Sequence, residues 1–155
     1  MNFSSTEDID APIAEVFQSI SDFESLERTA LRRGIDVQRM GDVEHPEKGL
    51  AWEIEFQFRA KKRTLHLTLG TYEPVTQIVL SGTGSGTDGA LEIDLLALSP
   101  QRTRLSVTLS LEPKTLSGRL LVQSLKLAKT KLNRGFKKRV SEFAKQTEDR
   151  LSRTA

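Results

Sequence analysis

The sequence predicts an α+β fold: a first strand, two short helices, six antiparallel strands and a long terminal helix. Three observations predict it. From Ile35 to Leu111, apolar residues recur at period two, the mark of half-buried strands. The links between these runs are too short for parallel crossovers, so the sheet is antiparallel. Helical patterns bracket the block of strands instead of alternating with them, and one-sided strands need a cover that only the terminal helix is long enough to give.

Taken in order, residues 2–10 are polar but end in Asp8-Ile9-Asp10 and read as a short edge strand. Ala11-Pro12 follows, and proline suits a helix's first turn, where its missing N–H costs nothing. Ile13, Val16, Phe17 and Ile20 then fall at helical spacing over 12–20. Ser21-Asp22 supplies a new N-cap for a second helix over 22–33, which stops at Gly34. Ile35 and Val37 open a strand that fades at Gly41, and 41–49 is a polar loop holding His45 and Pro46. Trp52, Ile54, Phe56 and Phe58 alternate with Glu53, Glu55, Gln57 and Arg59. Leu65, Leu67 and Leu69 make the next strand, with Tyr72 at its end; Ile78 and Leu80, then Leu91, Ile93 and Leu95, then Leu105, Val107, Leu109 and Leu111 make the rest. Turns are expected at 60–62, 73–74, 82–89 and 99–101. After Pro113 the pattern is helical from Thr115 to about Arg150, with Leu121, Leu125, Ala128, Leu132, Phe136, Val140 and Phe143 on one face. Such a helix would be about 54 Å long at ~1.5 Å per residue. A domain of this size has a radius of gyration of ~15 Å, so the helix is expected to overhang or break, with Gly118 and Gly135 as the expected sites.

The 155 residues, 37% apolar and 28% charged, suit one domain over 1–155. With no cysteine, a disulfide framework, a thiolate metal site and a cysteine nucleophile are all excluded. No segment has the ~18–20 apolar residues a membrane-spanning helix needs. The N-terminal residues have no positive charge and no apolar run, and so do not read as a secretory signal. A soluble, cytoplasmic protein is the expectation. The net charge of +2 conceals a division: residues 1–58 carry 13 acids and 5 bases, residues 59–155 carry 8 and 18. Halves so charged are expected to meet in the fold; the alternative is a basic surface kept for an anionic partner.

The order of elements, and the run Ile9-Asp10-Ala11-Pro12-Ile13-Ala14-Glu15-Val16-Phe17 followed by Ser21-Asp22-Phe23-Glu24, resemble the START-like superfamily, which includes birch-pollen-allergen-like and polyketide cyclase/dehydrase (SRPBCC) proteins. The resemblance implies a helix-grip fold: a curved seven-stranded antiparallel sheet gripping the C-terminal helix, with an elongated apolar cavity between them for a lipid, sterol or polyketide. Trp52, Phe56, Phe58, Leu67, Tyr72, Leu121 and Leu125 are then the candidate lining, Tyr72 with a hydroxyl to orient a polar ligand group. Trp52, Ile54, Phe56 and Phe58 are also explained by core packing alone, each buried side chain contributing ~1.5–3 kcal/mol.

Other motifs are weaker. Gly84-Ser85-Gly86-Thr87-Asp88-Gly89 matches the dinucleotide pattern GxGxxG, but a strand follows it where phosphate binding needs a helix. It reads as a glycine-rich hairpin loop, flexible enough to serve as a lid. His66 should face solvent, opposite Leu65 and Leu67, and His45 lies in the polar loop. Neither has a partner at metal-ligand spacing, so no metal and no cofactor are expected. No serine sits in a nucleophile elbow, and no catalytic residue can be named.

Between Lys114 and Ser141 there are nine bases and no acid. Arg119, Lys126, Arg134, Lys137 and Lys138 fall opposite the gripped face, which suits a solvated helix back. No nucleic-acid motif accompanies them, and no nucleic-acid partner is expected. Leu116, Leu120 and Leu127 fall off the gripped face as well, and are expected to mark a contact surface for a second protomer or a membrane, the competing account being that an N-terminal helix or a break near Gly118 folds over them. Three functions remain open: binding of a hydrophobic or amphipathic small molecule, a polyketide cyclase or aromatase type of enzyme, and a peripheral adaptor using the basic, leucine-bearing helix. The near-absence of inward-facing polar residues on the strands favours binding over catalysis.

Overall fold

The period-two runs pair into one antiparallel sheet. In the computed structural model, which describes residues 1–43 and 45–154, the elements are β1 (Asn2–Ile9), α1 (Ile13–Ile20), α2 (Phe23–Arg32), β2 (Asp36–Met40), β3 (Ala51–Phe58), β4 (Lys61–Glu73), β5 (Gln77–Gly84), β6 (Thr87–Ser99), β7 (Arg102–Pro113), α3 (Leu116–Leu127) and α4 (Lys129–Thr154). Glu44, inside the expected 41–49 loop, and Ala155 lie outside the described residues. The strand order is β1-β7-β6-β5-β4-β3-β2, so β1 crosses the sheet from the hairpin series to close it beside β7. Register shifts between Leu69 and Thr71 and between Ala97 and Ser99 bend two of the strands. This is the expected seven-stranded α+β architecture.

The two short helices follow their local signals. Val16, Phe17 and Ile20 turn inward on α1. Asp22 caps α2, its carboxylate accepting from the Ser25 N–H at 3.2 Å. The main core lies beneath α1, α2 and α4 and includes Ile9, Val16, Phe17, Leu50, Leu69, Ile78 and Leu105. Its buried polar groups are satisfied: the Thr103 hydroxyl donates to the Ala11 carbonyl at 2.8 Å, and Thr147 to Phe143 at 2.9 Å. At the edge strand, Arg104 donates to Asp8 at 2.9 Å, and this bond holds the Asp8 carboxyl below the usual carboxylate range.

The terminal helix breaks, but at Ala128 and not at Gly118 or Gly135. Ala128 has φ −105° and ψ 18°, and its N–H reaches back to Leu125 at 3.1 Å, closing a tight turn before α4 begins. The break separates two jobs. α4 lies along β1, with Phe136 against Phe3 at 6.0 Å between ring centroids and Val140 and Ala144 buried in the core. α3 turns over the middle of the sheet. Gly135 is exposed and open to solvent, while Gly118 serves a close contact described below.

The hairpins are tighter than expected. β3 and β4 are joined by Arg59-Ala60 alone, with Phe58 paired to Lys61, and the 82–89 loop shrinks to Ser85-Gly86. Two-residue turns of this kind need positive φ at both central positions, which opposes the splay of the strands. The chain meets that need with φ 54° at Arg59, 59° at Ala60, 53° at Ser85 and 69° at Gly86.

Candidate ligand-binding site

The site is made by what the middle of the sheet leaves out. Strand register sets Trp52 opposite Leu67, Leu67 opposite Gly82, Gly82 opposite Gly89 and Gly89 opposite Leu111. An inward row that would otherwise be bulky throughout therefore has two adjacent positions without side chains. Glycine inside a strand weakens it by giving up packing, and its presence marks space or close approach. A β-carbon at Gly82 would come within 3.1 Å of a Leu65 methyl and 3.4 Å of one from Leu67; at Gly89 it would come within 3.2 Å of a Leu111 methyl. The leucine tips thus lean over the two glycines and, with them, form the floor of the space above.

Over this gap lies a cavity of about 430 Å³. Phe56 and Phe58 wall it on one side and Leu109 and Leu111 on the other; Leu67, Leu80 and Leu91 line the sheet beneath, and Leu121 and Leu125 of α3 form the roof. Its volume falls within the ~300–1,000 Å³ range of small-molecule sites, whose walls are mostly apolar with a few placed polar groups. Arg63, Thr64, Thr87 and Asp88 are the polar side chains that join Ser85 in the lining.

A smaller cavity of about 130 Å³ adjoins it across Leu67 and Leu80, under α2. Trp52 lines this one, with Phe23, Val37 and Ile54. The Trp52 ring is buried, packs against Phe23 at 5.3 Å, and donates its indole N–H to Glu27 at 3.0 Å. The same Glu27 oxygen accepts from Arg39 at 2.5 Å. Removing the acceptor leaves the indole N–H of a buried ring without its carboxylate partner. Glu27→Ala is expected to cost about 1–3 kcal/mol, read as a lower urea midpoint together with a red shift in the emission of the chain's single tryptophan. Glu27→Gln, which keeps an acceptor, should recover most of the loss.

Tyr72 is the site candidate the structure moves elsewhere. The bulge at Gly70 turns it to the inner face opposite Ile78, where its ring meets Phe17 of α1 at 5.4 Å. α1 fills that end of the sheet, so Tyr72 belongs to the core and lines neither cavity.

One end of the roof is clasped. The Gly86 carbonyl accepts from the N–H groups of Lys114 and Thr115, at 2.8 and 3.2 Å. Thr115 caps α3 by accepting from the Gly118 N–H at 3.1 Å. Gly86 and Gly118 then touch backbone to backbone: a methyl group on Gly118 would overlap the Gly86 carbonyl oxygen and lie 2.7 Å from its carbon. The hairpin expected to be a flexible lid is instead the anchor of α3.

Beside the large cavity, and sharing Arg63, Ser85 and Leu121 with its lining, lies a basic notch of about 350 Å³ lined also by Arg59, Lys61, Leu120 and Ser124. A fourth space, an open groove of about 540 Å³, is lined by Glu24, Glu27, Arg28, Leu31, Arg39 and His45. It is polar and its charges are mixed. His66 is exposed. Among the described residues, no group of three or more histidines or carboxylates is placed to hold a metal ion.

No family model matches the sequence, and no curated protein matches it. The fold is shown by solved structures. The chain has the helix-grip fold that those structures share. Solved structures similar to it include the ZhuI aromatase/cyclase from Streptomyces sp. R1128, with TM-score 0.65 at 12% identity, covering 97% of this chain and 95% of that one. Ara h 8.0201 has TM-score 0.58 at 12% identity, over 88% of this chain and 96% of that one. A START superfamily protein from Mycobacterium smegmatis has TM-score 0.55 at 17% identity, over 90% and 99%.

Proposed function

We propose that the protein binds a hydrophobic or amphipathic small molecule in the cavity between the sheet and α3. The observation that carries this reading is the pair of facing glycines, Gly82 and Gly89, beneath a roof of Leu121 and Leu125. A sheet under no demand for space gains stability by filling such positions, and empty apolar volume forfeits both contact and transfer energy. The names of the similar structures, an aromatase/cyclase among them, agree with a cavity that receives a small molecule. Five of the seven residues expected to line the site, Phe56, Phe58, Leu67, Leu121 and Leu125, surround that one volume. Binding is favoured over a cyclase or aromatase reaction because leucine and phenylalanine make up most of the side-chain lining, with Arg63, Thr64, Ser85, Thr87 and Asp88 its only polar side chains. Nile red titrated into the delipidated protein is expected to give a saturable, one-to-one rise in emission; a folded protein that gives none contradicts the reading.

A second reading has its own observation. Leu116, Leu120 and Leu127 are 75%, 61% and 92% exposed, on a helix that holds no acid and carries Arg119 and Lys126. Leu120 also lines the notch beside the cavity. Among the described residues no helix is long and apolar enough to cross a membrane. A surface of leucine tips among cations suits contact with the face of an anionic bilayer, through which an apolar ligand would pass. Leu120→Asp with Leu127→Asp is expected to abolish sedimentation with anionic liposomes at low salt and to leave the melting temperature within a few degrees of the parent. If the parent is instead a dimer that the double variant dissociates, the surface belongs to a second protomer.

A further inference from the structure

Resting on the cavity as a binding site, we propose that its ligand is an amphipathic anion, with its apolar body under α3 and an oxyanion head, carboxylate or phosphate, held in the notch by Arg59, Lys61 and Arg63. The notch and the cavity are continuous in their walls, sharing Arg63, Ser85 and Leu121. The notch lining holds three cations and no carboxylate. Asp88 is the one acid in the cavity lining, and it is not part of the notch.

What sets these three cations apart is their clustering at one opening whose lining holds no carboxylate, whereas some bases close by in the chain or on other strands are ion-paired. Lys62, the neighbour of two of these cations, meets Glu55 at 3.1 Å, Arg104 meets Asp8 at 2.9 Å and Lys114 meets Glu112 at 3.2 Å. Among the described residues, Arg59, Lys61 and Arg63 form no ion pair with a carboxylate. Their partners are neutral. Arg59 donates to the Ser124 hydroxyl on α3, and Arg63 donates to Ser85 at 3.1 Å and to the Phe58 carbonyl at 3.3 Å. Both guanidinium groups also lie over the Phe58 ring, at 5.4 and 5.6 Å from its centroid. These contacts fix the direction of the guanidinium groups and leave their charge uncompensated. Like charges gathered at one opening repel one another until an anion joins them, and arginine's planar fork suits carboxylate and phosphate oxygens. The backbone supports the same reading. Arg59 and Ala60 occupy positive φ, 54° and 59°, where Asn-Gly would be at ease. A non-glycine pair in that region is held at some cost, and such costs gather at functional sites.

The test compares matched probes on delipidated protein by calorimetry: dodecanoate, dodecyl phosphate, the neutral dodecanol and inorganic phosphate. At least one of the two alkyl anions is expected to bind about tenfold or more tightly than dodecanol, since a hydrogen bond to a charged group is worth more than a neutral one. Whether dodecanoate or dodecyl phosphate is preferred tells a carboxylate head from a phosphate head. Arg59→Asn with Lys61→Gln removes two cations and places in the turn a residue that tolerates positive φ. That variant should keep its melting temperature and its affinity for dodecanol while losing the anion preference. Equal binding of dodecanoate, dodecyl phosphate and dodecanol overturns the anionic head and leaves the cavity reading standing. Failure of all three alkyl probes overturns the cavity reading itself. Inorganic phosphate binding as tightly as dodecyl phosphate also overturns the proposal, because the notch would then be an anion site independent of the cavity.

Discussion

Gly118→Ala is expected to be the most damaging small substitution in the chain outside the main core. The added methyl has no vacant direction: it meets the Gly86 carbonyl, and the Thr87 hydroxyl lies 3.1 Å away. These are backbone and strand atoms, held by the Lys114 and Thr115 hydrogen bonds to the same carbonyl, so they cannot swing aside as a long side chain would. Overpacking of a close contact costs about 1–3 kcal/mol and at times more. Here relief requires the N-terminal end of α3 to lift. The expected result is a fall in stability of about 3 kcal/mol, with faster hydrogen exchange over 114–127 and slower or unchanged exchange on β1 and α4. Because α3 carries Leu121 and Leu125, ligand affinity should fall with it. A Gly118→Ala protein as stable as the parent would mean that the hairpin and helix are not clasped in solution.

Gly82→Val should separate stability from binding. The β-carbon needs a few tenths of an ångström from the Leu65 and Leu67 methyl groups, and both leucines have the cavity to move into. Valine is a better strand residue than glycine, which costs roughly 0.5–1 kcal/mol in a strand interior. The melting temperature is therefore expected to hold or rise. The added volume stands on the cavity floor between Leu67 and Gly89, so probe affinity is expected to fall at least about tenfold, or ~1.4 kcal/mol. A gain in stability accompanied by a loss of binding is the signature of a site kept empty for a ligand. If both parameters stay unchanged, the gap is not where the molecule binds.

How much of this was legible in the sequence depends on the element. Phe56, Phe58 and Leu67 could be placed because strand alternation assigns a face without knowledge of the partner strand. Leu121 and Leu125 could be placed because helical spacing does the same. The break at Ala128 could not be foreseen from residue type, since alanine is a good helix former and the turn is imposed by the need for α4 to reach β1. Tyr72 does reach the inner face, through the bulge at Gly70, but the packing of α1 and Phe17 over that end of the sheet is a tertiary contact that strand spacing does not register. The glycines were present in the sequence but misread. Gly82 and Gly89 looked like the ends of a long loop, whereas Leu80 and Leu91, two residues away on the same face, and the facing glycine across the pair mark them as strand positions. Lys61 fell in the turn expected at 60–62 and Arg59 on the outer face of the strand before it, and their gathering with Arg63 at one opening depends on which residues come near in space. The division of charge between the halves is met in part at the β1–β7 edge, where Asp8 and Asp10 face Arg102 and Arg104.

Native mass spectrometry of the protein purified from its own host, run beside Gly82→Val prepared identically, tests the cavity most directly. The parent is expected to carry a noncovalent small molecule at one per chain, released by organic solvent, and the variant is expected to show the mass of the chain alone. The same adduct on both proteins, or on neither, would contradict a ligand seated over Gly82 and Gly89 beneath α3.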